Sequence, residues 1–368
     1  MTEIAALNPP ASDTLEISLF GSGIGECVVV HLGCGEWMIV DSCRHAETKI
    51  PVALQYLQEI GVNVVSAVKL VVISHWHDDH IEGSTDVIKS CSEARVAFSG
   101  AMARDEFLKL TSLYASPNSI LDKEKSGIRE MGNILNILRQ RQLGKLPGIY
   151  RPERLIQPDQ VLYKSKHNID CQVISLSPSD MAIRYIIQEF AALISQQDRL
   201  LLNRPKRNHN AVVIWVRFNG FRALLGSDLQ ETSDYYTGWS AVLASEWVPD
   251  GKAHIFKIPH HGSVNSHSDA VWAELVQSNS PIAILTTYNP SSLPRPSDVI
   301  RIRTKTDKIY CTTTPNRQPP RRERAVERTI KEVVKSRKIL SRGTGQIQLR
   351  IPSSGEPTVS LFGHAVKL

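Results

Sequence analysis

The chain has 368 residues and a mass of 41.0 kDa, enough for one large α/β domain with insertions or for two ordinary domains. Its 42% hydrophobic and 22% charged residues describe a globular protein; no apolar run approaches the roughly 18 residues that cross a bilayer, and the start lacks a cationic, then apolar leader, so a cytoplasmic location without membrane contact is expected. A formal net charge of +6 leans toward an anionic partner such as nucleic acid or nucleotide, and six scattered cysteines without a C-x-x-C pair read as free thiols rather than a disulfide framework.

After a Pro-containing leader, Leu15–Phe20, Glu26–Leu32 and Glu36–Asp41 read as three strands joined by Gly-rich turns. The turn Gly21-Ser22-Gly23-Ile24-Gly25 runs into a strand, so it lacks the helix N-terminal amides of a phosphate loop and reads as a tight connection. A helix is expected over Lys49–Ile60 and a strand over Ala67–Ser74, which makes the first part, residues 13–99, α/β in pattern. Between residues 100 and 203 the spacing turns helical at Ala101–Tyr114, Ile128–Gln142 and Met181–Ser195, which predicts a mainly helical insertion able to serve as a lid or substrate platform. Strands return over residues 204–320, at Ala211–Phe218, Phe221–Leu225, Ala253–Ile258, Ile282–Thr286 and Ile309–Thr312, with the hairpin pair Asn219-Gly220 between the first two. Residues 321–368 read as a basic helix and strand extension. Arg321–Arg342 carries nine Lys/Arg against three Glu, a solvated helix face or a contact for nucleic acid.

The strand Ala67–Ser74 runs directly into His75-Trp76-His77-Asp78-Asp79-His80. Five ionisable groups beside a buried strand would be costly to desolvate, and a metal cation is the simplest compensation. Side chains alternate along a strand, so His75 and His77 fall on one side, and Asp79-His80 can turn toward a second cation. Imidazole with carboxylate suits zinc first, then manganese or iron, and two such ions can clamp the attacking and leaving oxygens of a displacement.

HWHDDH after an apolar strand resembles the H-x-H-x-D-H signature of the metallo-β-lactamase superfamily. That resemblance implies a four-layer αβ/βα sandwich and a metal-dependent hydrolase, over about Leu15–Leu285 apart from the insertion. It implies metal ligands at His75, His77, Asp79 and His80, with Asp41 orienting the histidines rather than binding metal. Asp228, in Leu224-Leu225-Gly226-Ser227-Asp228, is the implied bridge between two divalent ions. His261, in Ile258-Pro259-His260-His261-Gly262, is the implied ligand to the second, with His260 supporting it or facing substrate. His209, in Asn208-His209-Asn210-Ala211, stands where a third first-site histidine is expected; that stretch resembles the soluble domain of competence DNA-uptake channel proteins, in which this histidine is often missing, so Asn208 or Asn210 could instead orient substrate or water. His267 is a candidate proton donor, and Ser263 and Lys257 are lesser ones. The ions would activate a water for attack with Asp79, His260 and His267 as catalytic candidates, on phosphodiesters first. A thioester, lactone, lactam or phospholipid substrate is the alternative, and a non-catalytic scaffold or sensor the second, with protein partners meeting the insertion or the basic segment.

Overall fold

A computed structural model describes residues 8–115, 126–195, 207–232, 234–247, 249–315 and 343–368, with 326, 328, 329 and 333. Sixteen strands among them form two eight-stranded sheets. The first contains β1 (Thr14–Gly21), β2 (Glu26–His31), β3 (Trp37–Val40), β4 (Val68–Ile73), β5 (Arg95–Ser99), β6 (Arg154–Ile156), β14 (Gly345–Pro352) and β15 (Thr358–Gly363). The second contains β7 (Gln160–Lys164), β8 (Cys171–Ser175), β9 (Ile214–Phe218), β10 (Phe221–Leu225), β11 (Ile255–Lys257), β12 (Ile282–Leu285), β13 (Ile309–Cys311) and β16 (Val366–Lys367). Their orders are β15-β14-β1-β2-β3-β4-β5-β6 and β16-β13-β12-β11-β10-β9-β8-β7. Each sheet ends its antiparallel part in a parallel run, β3 to β6 in one and β10 to β13 in the other.

Period-two alternation explains why these strands read as unbroken apolar runs: both faces are buried. Leu70 and Val72 of β4 face Leu225, Ile255 and Ile284 of the other sheet. Val71 and Ile73 face outward to a helix layer. That layer includes α1 (Val52–Glu59), α2 (Val64–Ala67), α3 (Asp78–Ile81), α4 (Ser84–Ser90), α5 (Asp105–Ala115), α6 (Ser126–Gln142) and α7 (Asp180–Ser195). On the far side, α8 (Gly238–Leu243), α9 (Asp269–Glu274) and α10 (Pro296–Arg303) cover the second sheet through Trp239, Trp272 and Ile302. Helix, sheet, sheet, helix is the αβ/βα sandwich expected from the sequence.

The hairpin turns where Asn219-Gly220 predicts, with φ of 43° and 87°. Gly21-Ser22-Gly23-Ile24-Gly25 connects β1 to β2, and no helix follows it. Two expectations change. The span 100–203 holds the three helices foreseen, but also β6, which edges the first sheet, and β7 and β8, which extend the second. These strands are only three to five residues long, and β6 and β7 are only partly buried, so their alternation carries little signal. The strand extension is integral as well, because β14 pairs along all eight residues of β1 inside the first sheet. The expected basic helix Arg321–Arg342 falls almost wholly outside the described residues.

Candidate metal centre

The centre forms where the parallel runs of the two sheets end. Asp41 follows β3, His75 lies two residues past β4, Asp228 three past β10, and His261 four past β11. Left-handed backbone at Asp41, Ser227, His260 and His261, with φ of 62°, 44°, 48° and 53°, aims these loops inward. Such conformations cost on the order of 1 kcal/mol or more each for non-glycine residues and persist where surrounding bonds hold them.

Three donor groups result, each with its ligand atoms within 4.8 Å of one another: Asp79, His80, Asp228 and His261; His75, His77 and Asp228; and Asp41, His75 and His80. Asp228 belongs to the first two. His80 Nε2 lies 3.2 Å from Asp228 Oδ1, and His261 Nε2 lies 3.2 Å from Asp79 Oδ2 and 4.0 Å from Asp228 Oδ2. His75 Nε2 and His77 Nδ1 are 2.9 Å apart. His80 Nε2 and Asp228 Oδ1 are buried, and neither makes a hydrogen bond among the described residues.

Each of three rings has its other nitrogen engaged. Asp41 Oδ1 accepts from the Ser74 amide at 2.7 Å, and Oδ2 accepts from Ser74 Oγ at 2.6 Å and His80 Nδ1 at 2.8 Å. Ser74 Oγ spends its proton on Asp41, so it accepts from His75 Nδ1 at 2.9 Å. His261 Nδ1 lies 2.8 Å from Thr286 Oγ1, which donates to Glu26 Oε2 at 2.6 Å. The network therefore sets Nδ1–H on His75, His80 and His261 and turns their Nε2 lone pairs into the centre.

The electrostatics show a site in want of positive charge. Burial opposes ionisation of Asp228, but the charges of His80, His261 and His260 overcome it and hold the carboxyl well below its ordinary range. Burial likewise raises Asp79, and His80 and His261 bring it strongly down. Burial would lower His80, yet Asp228 and Asp79 hold it well above the ordinary imidazole range. His75 is driven well down by burial and by neighbouring His80 and His77. Burial raises Asp41, and His80 and Ser74 offset part of that rise.

The remaining candidates fall elsewhere. His209 lies in the turn Arg207–Asn210 and in none of the three donor groups. Asn208 and Asn210 of that turn are buried; Asn210 Oδ1 accepts from Ser99 Oγ at 2.7 Å, and its Nδ2 is buried without a hydrogen bond among the described residues. His260 is partly exposed, with Nδ1 3.0 Å from Asn265 Oδ1 and Nε2 3.9 Å from Asp228 Oδ2; burial lowers its pKa. His267 is outside the donor groups and pairs with Asp269 Oδ1 at 3.2 Å.

Trp76 and Asp78, interleaved with the ligands, look the other way. Trp76 is fully buried against Phe107 of α5 and Phe190 of α7, at ring-centroid distances of 5.5 and 5.3 Å. Asp78 Oδ1 accepts from the Gly127 amide in the first turn of α6 at 2.6 Å. A Cβ on Gly127 would stand 2.0 Å from the Trp76 carbonyl oxygen, so only glycine admits this approach.

The sequence matches no family profile and no curated protein. Solved structures resemble the chain at low identity. A subclass B3 metallo-β-lactamase isolated from a soil metagenome library is 14% identical over 70% of this chain and 81% of its own, with a TM-score of 0.35. The metallo-β-lactamase fold protein YhfI from Bacillus subtilis is 11% identical over 82% and 97%, at 0.41. The short form of human tRNase Z is 11% identical over 66% and 76%, at 0.34. Likeness at this level concerns layout alone.

Proposed function

We propose that the chain is a metal-dependent hydrolase, that its centre holds two divalent ions, and that it acts on phosphodiesters of nucleic acid or nucleotides. The observation that carries this reading is the convergence of three oriented Nε2 atoms on the carboxylates of Asp79 and Asp228, with buried His80 Nε2 and Asp228 Oδ1 making no hydrogen bond among the described residues. Buried polar atoms are rarely left so, and these two lie 3.2 Å apart within one donor set. His75, His77 and Asp228 form the donor set for one ion; Asp79, His80, His261 and Asp228 form the other.

The donors suit zinc, with manganese or iron as alternatives. Divalent ions there would supply Lewis acidity, acidifying a water and neutralising charge on a phosphoryl oxygen. The chain itself does the positioning. Asp228 ties the two donor sets together, and Asp41 holds His80 directly and His75 through Ser74. His260, partly exposed and fixed through Nδ1 by Asn265, is placed to orient a substrate oxygen at the rim.

The phosphodiester assignment is supported by the net charge of +6 and by the motif style of Asn208–Ala211. The test is turnover by protein supplied with manganese or zinc. Its substrates are bis(p-nitrophenyl) phosphate, single-stranded DNA and a cyclic dinucleotide, set beside a β-lactam, a lactone, a thioester and a phospholipid. Diester hydrolysis that disappears in His77→Ala and Asp79→Ala is expected. Turnover confined to the non-diester substrates would overturn the substrate class, and turnover surviving in both variants would overturn the metal centre.

A further inference from the structure

A second ionic pair lies behind the donor cluster and joins the two sheets. Glu26 opens β2 in the first sheet, Lys257 ends β11 in the second, and the two pair with side chains only 2% and 1% exposed. Removing two charges from water costs several kcal/mol per ion unless their remaining hydrogen-bonding capacity is satisfied. Here Lys257 Nζ also donates to the Ser227 carbonyl at 2.9 Å, and Glu26 Oε2 accepts from Thr286 Oγ1 at 2.6 Å. Thr286 Oγ1 in turn lies 2.8 Å from His261 Nδ1.

The direction of this chain follows from elementary donor counting. A carboxylate only accepts and a hydroxyl has one proton, so Thr286 gives its proton to Glu26 and accepts from His261. We propose that Glu26, anchored across the sheets by Lys257, fixes His261 in its Nδ1–H tautomer and so keeps Nε2 open to the second cation. Glu26, Lys257 and Thr286 are positioning residues, acting on the metal through His261. The inference rests on the metal-centre reading and is independent of the substrate.

The logic makes an isosteric substitution decisive. In Glu26→Gln the amide oxygen is drawn to Lys257, which can only donate, and the amide NH2 faces Thr286. The Thr286 hydroxyl must then donate to His261 Nδ1, and the ring proton moves to Nε2, where it blocks coordination. Removing the lysine as well, in Glu26→Gln with Lys257→Met, frees the amide to turn its oxygen back to Thr286.

The experiment is long-range 1H–15N correlation on histidine-labelled, metal-free protein at alkaline pH, where the ring carries a single proton, with His261 assigned by its loss in His261→Ala, followed by zinc titration. Native protein should show Nδ1–H at His261 and bind two zinc ions. Glu26→Gln should show Nε2–H and bind its second zinc roughly 10- to 100-fold more weakly. The double variant should recover both properties, a rescue that a purely structural ion pair would not give. If the double variant fails to fold, Thr286→Val serves instead, with a mixture of tautomers expected. An unchanged Nδ1–H signal and unchanged second affinity in Glu26→Gln, or in Thr286→Val, would overturn the relay. Native protein that binds no zinc while its tautomer still depends on Glu26 would overturn the metal-centre reading instead.

Discussion

Each imidazole in the centre commits one nitrogen before the other can face a cation, and the residues that accept that commitment are as specific as the ligands. Asp41→Asn should therefore lower metal affinity roughly 10- to 100-fold, because the amide no longer accepts from both Ser74 Oγ and His80 Nδ1; titration with zinc checks it. The adjacent histidines should separate cleanly. His261→Ala should lose one ion, whereas His260→Ala should keep both and lose turnover. Away from the centre, His31 is specified as neutral, since its Nδ1–H faces the Thr14 carbonyl at 2.7 Å and its Nε2 accepts from the Gly35 amide at 3.0 Å. Burial lowers its pKa from 6.5. The stability gained is complete above the unfolded value and drains away as pH falls through it toward the lower folded one. His31→Gln should accordingly lose less stability between pH 7.5 and 5.5, measured by urea unfolding with chelator present; equal losses in both proteins would contradict this. At this scale the sequence was informative for Asp41, His75, His77, Asp79, His80, Asp228 and His261, since each closely follows an apolar strand. It was uninformative for Glu26 and Thr286, which look like ordinary strand residues and gain meaning only from contacts across 260 positions.

Elements also act on the centre from outside. Helix α6 contributes Ile128, Met131, Ile134, Ile137 and Leu138 to the core shared with β4 and α4. Its Glu130 accepts from the Thr85 amide at 2.9 Å, and its Arg141 donates to the Ile88 carbonyl at 2.5 Å. Within the segment expected to overhang the cleft as a lid, α6 is thus built into the wall that holds HWHDDH. Gly127→Ala should destabilise the protein by about 1–3 kcal/mol, as overpacking does, and weaken zinc binding together with it. Thermal unfolding and metal titration of the variant check this, and stability equal to native would contradict it. The helices themselves were legible from apolar spacing. That Trp76 and Asp78 anchor them was not, because those two residues read locally as spacers between ligands.

On the scale of the molecule, each ion's donor set joins residues that follow β4 of the first sheet to residues that follow β10 or β11 of the second, so cations at the centre would fasten the two sheets to each other. A ligand present at 100 times its Kd stabilises the folded state by about 2.7 kcal/mol, so chelation should lower the unfolding temperature of native protein and leave that of His77→Ala/Asp79→Ala unmoved. The layering was foreseeable, since strands buried on both faces leave continuous apolar runs. The contributions of β6 to β8 and of β14 were not, because pairing partners far along the chain decide where short or late strands dock. The most direct test of the whole account is metal content by mass spectrometry after reconstitution with zinc and exhaustive desalting. Two ions per native chain and at most one in His261→Ala are predicted; native protein retaining none, or a variant retaining two, would contradict it.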